Sequence, residues 1–121
     1  AGQTCDASTT TFLLTHWARD REHGRLSIEE AVHKMTRATA TLYGLGDRGV
    51  LVPGFIGDVN VIDHSSLRLH RPEKVNDLPG GAGRLVQRAD GYVATVKSGQ
   101  ITYEHGEETG ARPGALLRGA R

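Results

Sequence analysis

The hydrophobic positions of this chain change their period near Gly44, and that change divides it. Between Thr9 and Glu22, Leu13, Leu14, Trp17 and Ala18 recur at spacings of three and four. This predicts an amphipathic helix with those residues on one stripe. Gly24 predicts its end, because glycine accepts the left-handed backbone that closes helices. A second helix is predicted from Ser27. Ser27-Ile28-Glu29-Glu30 has capping-box spacing, in which the Ser hydroxyl takes the Glu30 amide and the Glu30 side chain reaches back. Ile28, Ala31, Val32, Met35, Ala38, Thr39 and Leu42 form its apolar stripe, and Gly44 ends it.

Beyond Gly44 the pattern is that of short strands and turns. Val50-Leu51-Val52 is a brief apolar run ended by the turn pair Pro53-Gly54. Val59 to Ile62 reads as a buried strand. His64 to Asn76 is polar and irregular, with Pro72 inside it, and Pro79 to Gly83 reads as a flexible loop. Tyr92 to Lys97 and Gln100 to Glu104 alternate as two strands, joined by Ser98-Gly99 as a two-residue hairpin turn. Gly106, Gly110 and Pro113-Gly114 mark a tail crossing the surface. The expected class is α+β. Two N-terminal helices over 1–46 precede four or five short, mostly antiparallel strands over 47–121.

Composition narrows this further. With 121 residues the chain suits one domain, and it is too short for a complete (β/α)₈ barrel of about 250 residues. Fifteen Lys and Arg balance 14 Asp and Glu, for a net charge of +1. No nucleic-acid surface is expected from that balance. No run approaches the ~18 apolar residues of a membrane span, so no membrane partner is expected. The polar start predicts no signal peptide, and opening on Ala1 rather than Met predicts a processed or shortened chain. Cys5 is the single cysteine, which rules out an internal disulfide and a Cys-cluster zinc site and fits a cytoplasmic protein. Sixteen glycines and six aromatics predict short elements joined by tight bends.

The candidate chemistry is sparse. Gly44-Leu45-Gly46-Asp47-Arg48-Gly49 spells G-x-G-x-x-G, but a dinucleotide site needs a strand before it and a helix after it. Here the order is reversed, so the glycines are expected to serve backbone angles. His16, His23, His33, His64, His70 and His105 include no H-x-H or H-E-x-x-H pair. His64 and His70 alone flank a loop that folding could close into a metal site. Cys5 would need folding to bring it to His16 as a nucleophile–base pair. Ser65 and Ser66 lack a G-x-S-x-G context. Glu29, Glu30, Glu73, Glu107 and Glu108 read as helix-start and solvated carboxylates, and Arg112, Arg118 and Arg121 as a solvated basic tail.

The order of the segments carries more information than any one of them. Leu26-Ser27-Ile28-Glu29-Glu30-Ala31-Val32 leads through Met35-Thr36-Arg37-Ala38-Thr39-Ala40 to Tyr43-Gly44-Leu45-Gly46-Asp47-Arg48-Gly49. Pro53-Gly54 and Asp58-Val59-Asn60-Val61-Ile62-Asp63 follow, and Thr95 to Gln100 supplies a hairpin of T-x-V-x-G-x type. This string resembles the C-terminal segment of the amidohydrolase superfamily, where a metal-dependent barrel carries a small β-sandwich. The similarity is closer to the N-acyl-D-amino-acid deacylases, through Phe12 to Asp20 and Gly106 to Gly114. Thr39, Gly57 and Ser98 depart from that family's usual Pro, Ala and Asn, all at turns.

The resemblance implies a segment of an enzyme that hydrolyses a non-peptide C–N amide bond. It implies zinc in the parent enzyme, but no metal bound by this chain. No catalytic, cofactor-binding or metal-binding residue is carried over, because the family's ligands lie on earlier barrel strands. Its catalytic Asp is expected just upstream of Ala1, and Asp6 does not fit its context. The implied partners are the remainder of the barrel or another copy of the chain, with a small-molecule N-acyl amino acid as the parent's substrate. The first helix is then expected to lay Leu13, Leu14 and Trp17 against the barrel. The alternative is a free-standing, non-catalytic α+β binding or scaffold module.

Overall fold

The computed structural model describes residues 5–118, the first three of them as backbone. Its helices are α1 (Cys5–Phe12), a π-helix (Leu13–Asp20), α2 (Ile28–Met35) and α3 (Arg37–Leu42). The first helical stretch is therefore continuous but changes its winding at Leu13. The Arg21 amide donates to the His16 carbonyl at 3.0 Å, five residues back. This wider turn rotates the predicted stripe. Leu14 is buried and Leu13 and Ala18 pack beside it, whereas Trp17 faces out. Phe12 stacks on His16 at 4.8 Å, and the Arg21 guanidinium covers the Trp17 ring at 4.4 Å.

The second predicted helix is two. The Ser27 capping box forms as the spacing implies, with the Glu30 amide on Ser27 Oγ at 3.1 Å and the Ser27 amide on Glu30 Oε2 at 2.9 Å. The break comes at Thr36, whose hydroxyl donates to the Val32 carbonyl at 2.7 Å. Its own amide turns instead to His33, at 3.3 Å. Such side-chain back-bonding competes with the helical ladder and bends it. At the far end Leu45 donates to Ala40 and Gly44 to Thr41, with Gly44 at φ +69. This is the Schellman pattern that glycine permits.

Eight strands follow among the described residues, more than the sequence pattern indicates. β1 (Val59–Ile62), β6 (Tyr92–Lys97), β7 (Gln100–Glu104) and β8 (Glu107–Glu108) form an antiparallel sheet in the order β1-β6-β7-β8. Ser98 and Gly99 turn β6 into β7 with φ 51 and 77, the doubly positive geometry favoured in two-residue hairpins. His105 and Gly106 repeat the device before β8, so the start of the predicted tail is a strand. β1 is an edge strand with Asn60 and Val61 exposed, half-buried rather than buried. The region from 68 to 90 is an arm and not a loop. β2 (Arg68–Leu69) pairs with β5 (Ala89–Asp90), and β3 (Glu73–Val75) with β4 (Arg84–Val86). A short 3₁₀ turn at Pro79–Gly81 lies at its tip.

Helices and sheet share one small core. Leu14, Ala31 and Leu67 are buried together, and Ile62, Met35 and Tyr92 pack on them. Thr11 and Tyr92 share a hydrogen bond of 2.7 Å across the junction. Gly91, at φ +95, lets the chain pass so close that a Cβ there would lie 2.6 Å from Leu67 Cα.

Candidate functional site

The densest polar cluster lies where the helices meet the sheet. Asp63 ends β1, and its carboxylate accepts from the Ser65 amide and hydroxyl at 3.0 and 2.6 Å and from the Ser66 hydroxyl at 2.7 Å. These bonds, the Ser65 and Ser66 hydroxyls foremost, hold its pKa down to about 2. Asp63 is thus a fixed anion that folds the loop back on itself; a general base needs a pKa near the working pH. The loop then reaches the helices from two sides. Arg19 Nη1 donates to the His64 carbonyl at 2.5 Å, and His64 Nε2 donates to the Leu14 carbonyl at 3.2 Å. Arg19 also grips Asp20, and this contact keeps Asp20 below the usual carboxylate range.

A second cluster ties the glycine string to the hairpin. Asp58 receives Arg48 at 2.8 Å, Lys97 at 2.9 Å and the Ser98 amide at 2.9 Å. Burial pushes the Asp58 carboxyl up, but the Ser98 amide and the two cations outweigh it and hold the group low. Along the arm, charges alternate across the strands. Arg84 pairs with Asp77 at 2.6 Å and Arg88 with Glu73 at 3.0 Å, while Asp90 takes Arg68 at 2.7 Å and His70 at 2.8 Å. His70 first, then Arg68, lowers the Asp90 pKa. An open cleft lined by His70, Arg71, Pro72, Glu73 and Arg88 lies beside these pairs.

Among the described residues the sequence candidates take separate partners. His64 and His70 are held apart, one on the Leu14 carbonyl and the other on Asp90. Among the described residues no three His, Cys, Asp or Glu side chains form a group able to hold a metal ion. The described residues offer no ligand set for the zinc that the resemblance implies. The side chains of Cys5 and Asp6, and Arg121 altogether, lie outside the described residues. Ser65 and Ser66 serve Asp63. The glycine string follows α3, and the next element after it is the strand β1. Gly44 and Gly49 adopt φ +69 and +90, so the string serves backbone angles. Glu30 caps α2, Glu73 pairs with Arg88, and Glu108 binds Arg112 and Tyr103.

Sequence reasoning missed the Asp63 turn, the Asp58 clamp and the charged arm. The first had a local signal, since an Asp followed two and three residues later by Ser is a side-chain-capped turn. The other two join residues far apart in the chain, and nothing local announces them.

The chain matches the family model described as "Amidohydrolase family" over residues 1–103. It is 38% identical to an N-acyl-D-aspartate deacylase from Alcaligenes xylosoxydans xylosoxydans over 98 residues, 80% of this chain and 18% of that protein. With a D-aminoacylase from the same organism the identity is 32% over 105 residues, 87% of this chain and 19% of the relative. A crystal structure of D-aminoacylase, described as defining a novel subset of amidohydrolases, superposes with a TM-score of 0.63 at 27% identity. That match covers 84% of this chain and 19% of the solved one. The chain thus spans about a fifth of the length of these relatives.

Proposed function

Because the chain belongs to the amidohydrolase family, we propose that it is the C-terminal segment of an enzyme resembling N-acyl-D-amino-acid deacylase. The reaction proposed for the whole polypeptide is hydrolysis of the amide bond of an N-acyl-D-amino acid. The observation that carries this reading is the 38% identity to an N-acyl-D-aspartate deacylase across 80% of the chain. In this reading the segment divides at residue 46. Residues 1–46 end a (β/α)₈ barrel and residues 47–121 belong to a sandwich beside it. The zinc and the groups that move protons belong to the rest of the polypeptide.

The role of this segment is to brace. Four links lock its helices to its sheet: the Leu14–Ala31–Leu67 core, the Thr11–Tyr92 bond, the Arg19 bond to the His64 carbonyl and the His64 bond to the Leu14 carbonyl. A rigid joint of this kind fixes how a barrel-side helix sits against the sandwich, and catalytic geometry tolerates little misplacement. The proposed compartment is the cytoplasm, which the single cysteine supports. No described helix is long and apolar enough to cross a membrane.

The test is the complete coding sequence and its product. A barrel-length frame carrying an H-x-H pair should precede this segment. The purified product, supplied with zinc, should release free D-amino acid from an N-acyl-D-amino acid. A frame that begins with this chain's first residue would leave a free-standing module and overturn the reading. So would a complete product that turns over no N-acyl-D-amino acid.

A further inference from the structure

The apolar stripe predicted for the second helical stretch is only half used. Ala31 is fully buried and Met35 packs on the core. Ile28 and Val32, one turn apart on α2, are open, and Leu42 at the end of α3 is 79% exposed. Tyr43 follows at 76%, and Leu51 stands at 77% beside a half-exposed Val52. Gly49, two residues before Leu51, lies against α3. A Cβ on Gly49 would touch Ala40 Cβ at 2.9 Å and Arg37 Cα at 3.1 Å, so the run after Gly49 leaves from the flank of that helix.

The area agrees with the pattern. A folded monomer of 13.0 kDa exposes about 6,300 Å². This chain exposes 9016 Å², an excess of about 2,700 Å². Two copies would cover about 800 Å² on each through a standard interface and about 1,000–2,500 Å² on each through an obligate one, still short of the excess. A longer polypeptide can cover the whole excess, and the relatives extend about four fifths of their length beyond the part this chain matches.

We propose that Ile28, Val32, Leu42, Tyr43, Leu51 and Val52 form the docking face for the remainder of the same polypeptide. This rests on the reading of the chain as a segment of a longer enzyme, and it names the surface that does the bracing. It also moves that surface. The Leu13–Leu14–Trp17 stripe is expected from the sequence to meet the barrel, but Leu14 is spent inside the segment's own core.

The test uses the complete polypeptide with its own reactive cysteines replaced. Single substitutions Leu42→Cys and Leu51→Cys report on the face, and Asn76→Cys at the exposed arm tip is the control. Maleimide labelling at 42 and 51 is expected to run at least about 100-fold slower in the native protein than in urea, as for a site that must open before it reacts. Labelling at 76 should change little. Native labelling at 42 and 51 as fast as at 76 overturns the proposal. Protection that vanishes on dilution overturns it too, and assigns the face to a second copy. If a cysteine variant fails to fold, amide exchange of the unaltered polypeptide across residues 38–52 decides between the same outcomes, slow for docking and fast against it. Turnover is scored on the same sample. Protection without turnover keeps the docking and removes the enzymatic reading; turnover without protection does the reverse.

Discussion

Gly91→Ala tests the closest backbone approach made by any described glycine. Two costs arise there. The first is conformational, because Gly91 sits at φ +95 and an L-residue held there costs about 1–3 kcal/mol. The second is steric. The added Cβ would lie 2.6 Å from Leu67 Cα, 2.8 Å from Leu67 N and 3.0 Å from the Asp63 carbonyl. All three are backbone atoms, and Leu67 is fully buried, so none can swing aside. Forcing such a shift in a packed core costs about another 1–3 kcal/mol. Gly106→Ala supplies the control. Its φ is +87, almost the same, but nothing lies within 4 Å of its Cβ position. The steric part is then the difference between the two variants, about 2 kcal/mol. Urea unfolding followed by circular dichroism reads it, with midpoints separated by roughly 1–2 M for a small protein. Coincident midpoints for Gly91→Ala and Gly106→Ala would refute the reasoning, since only the shared strain would then matter.

Three further outcomes follow from the same geometry. Leu67→Ala empties the one large side chain that is fully buried among the described residues, and should lower unfolding free energy by about 3 kcal/mol in the same titration. Ser27→Ala removes the cap of α2 and should cost about 1 kcal/mol, with faster amide exchange at Glu29 and Glu30. Asp63 has its carboxyl pKa lowered from 3.8 to about 2 in the fold. Its contribution is therefore complete above pH about 4 and is lost as pH falls from there toward 2. Thermal melts between pH 5 and 2 should show Asp63→Asn with a flatter acid limb than the parent, and parallel limbs would count against the Asp63 turn.

Where a local rule decides the structure, the sequence is legible. The Ser27 box, the Ser98-Gly99 turn and the bounds of β6 and β7 all rest on contacts within a few residues, and all are found where the pattern places them. The misses have separate physical causes. Thr36 breaks a periodic helix because its hydroxyl captures the Val32 carbonyl, a choice the hydrophobic period does not encode. The π-winding after Phe12 turns Trp17 outward although its spacing assigns it to the buried stripe. The arm from Arg68 to Asp90 has no alternating apolar face, because ion pairs between its two sides such as Arg84–Asp77 and Arg88–Glu73 line it. The candidate site is legible only where its contacts are local, as in the Asp63 turn. Isolated histidines and serines gave no catalytic spacing, and the fold uses His64, Ser65 and Ser66 to hold a joint.

That joint matters to function only if the reacting groups lie beyond this segment. The direct measurement is the release of free amino acid from an N-acyl-D-amino acid, with zinc supplied, by the 121-residue chain and by the complete polypeptide side by side. Turnover is expected from the complete polypeptide and none from the chain alone. Zinc-dependent turnover by these 121 residues would contradict it.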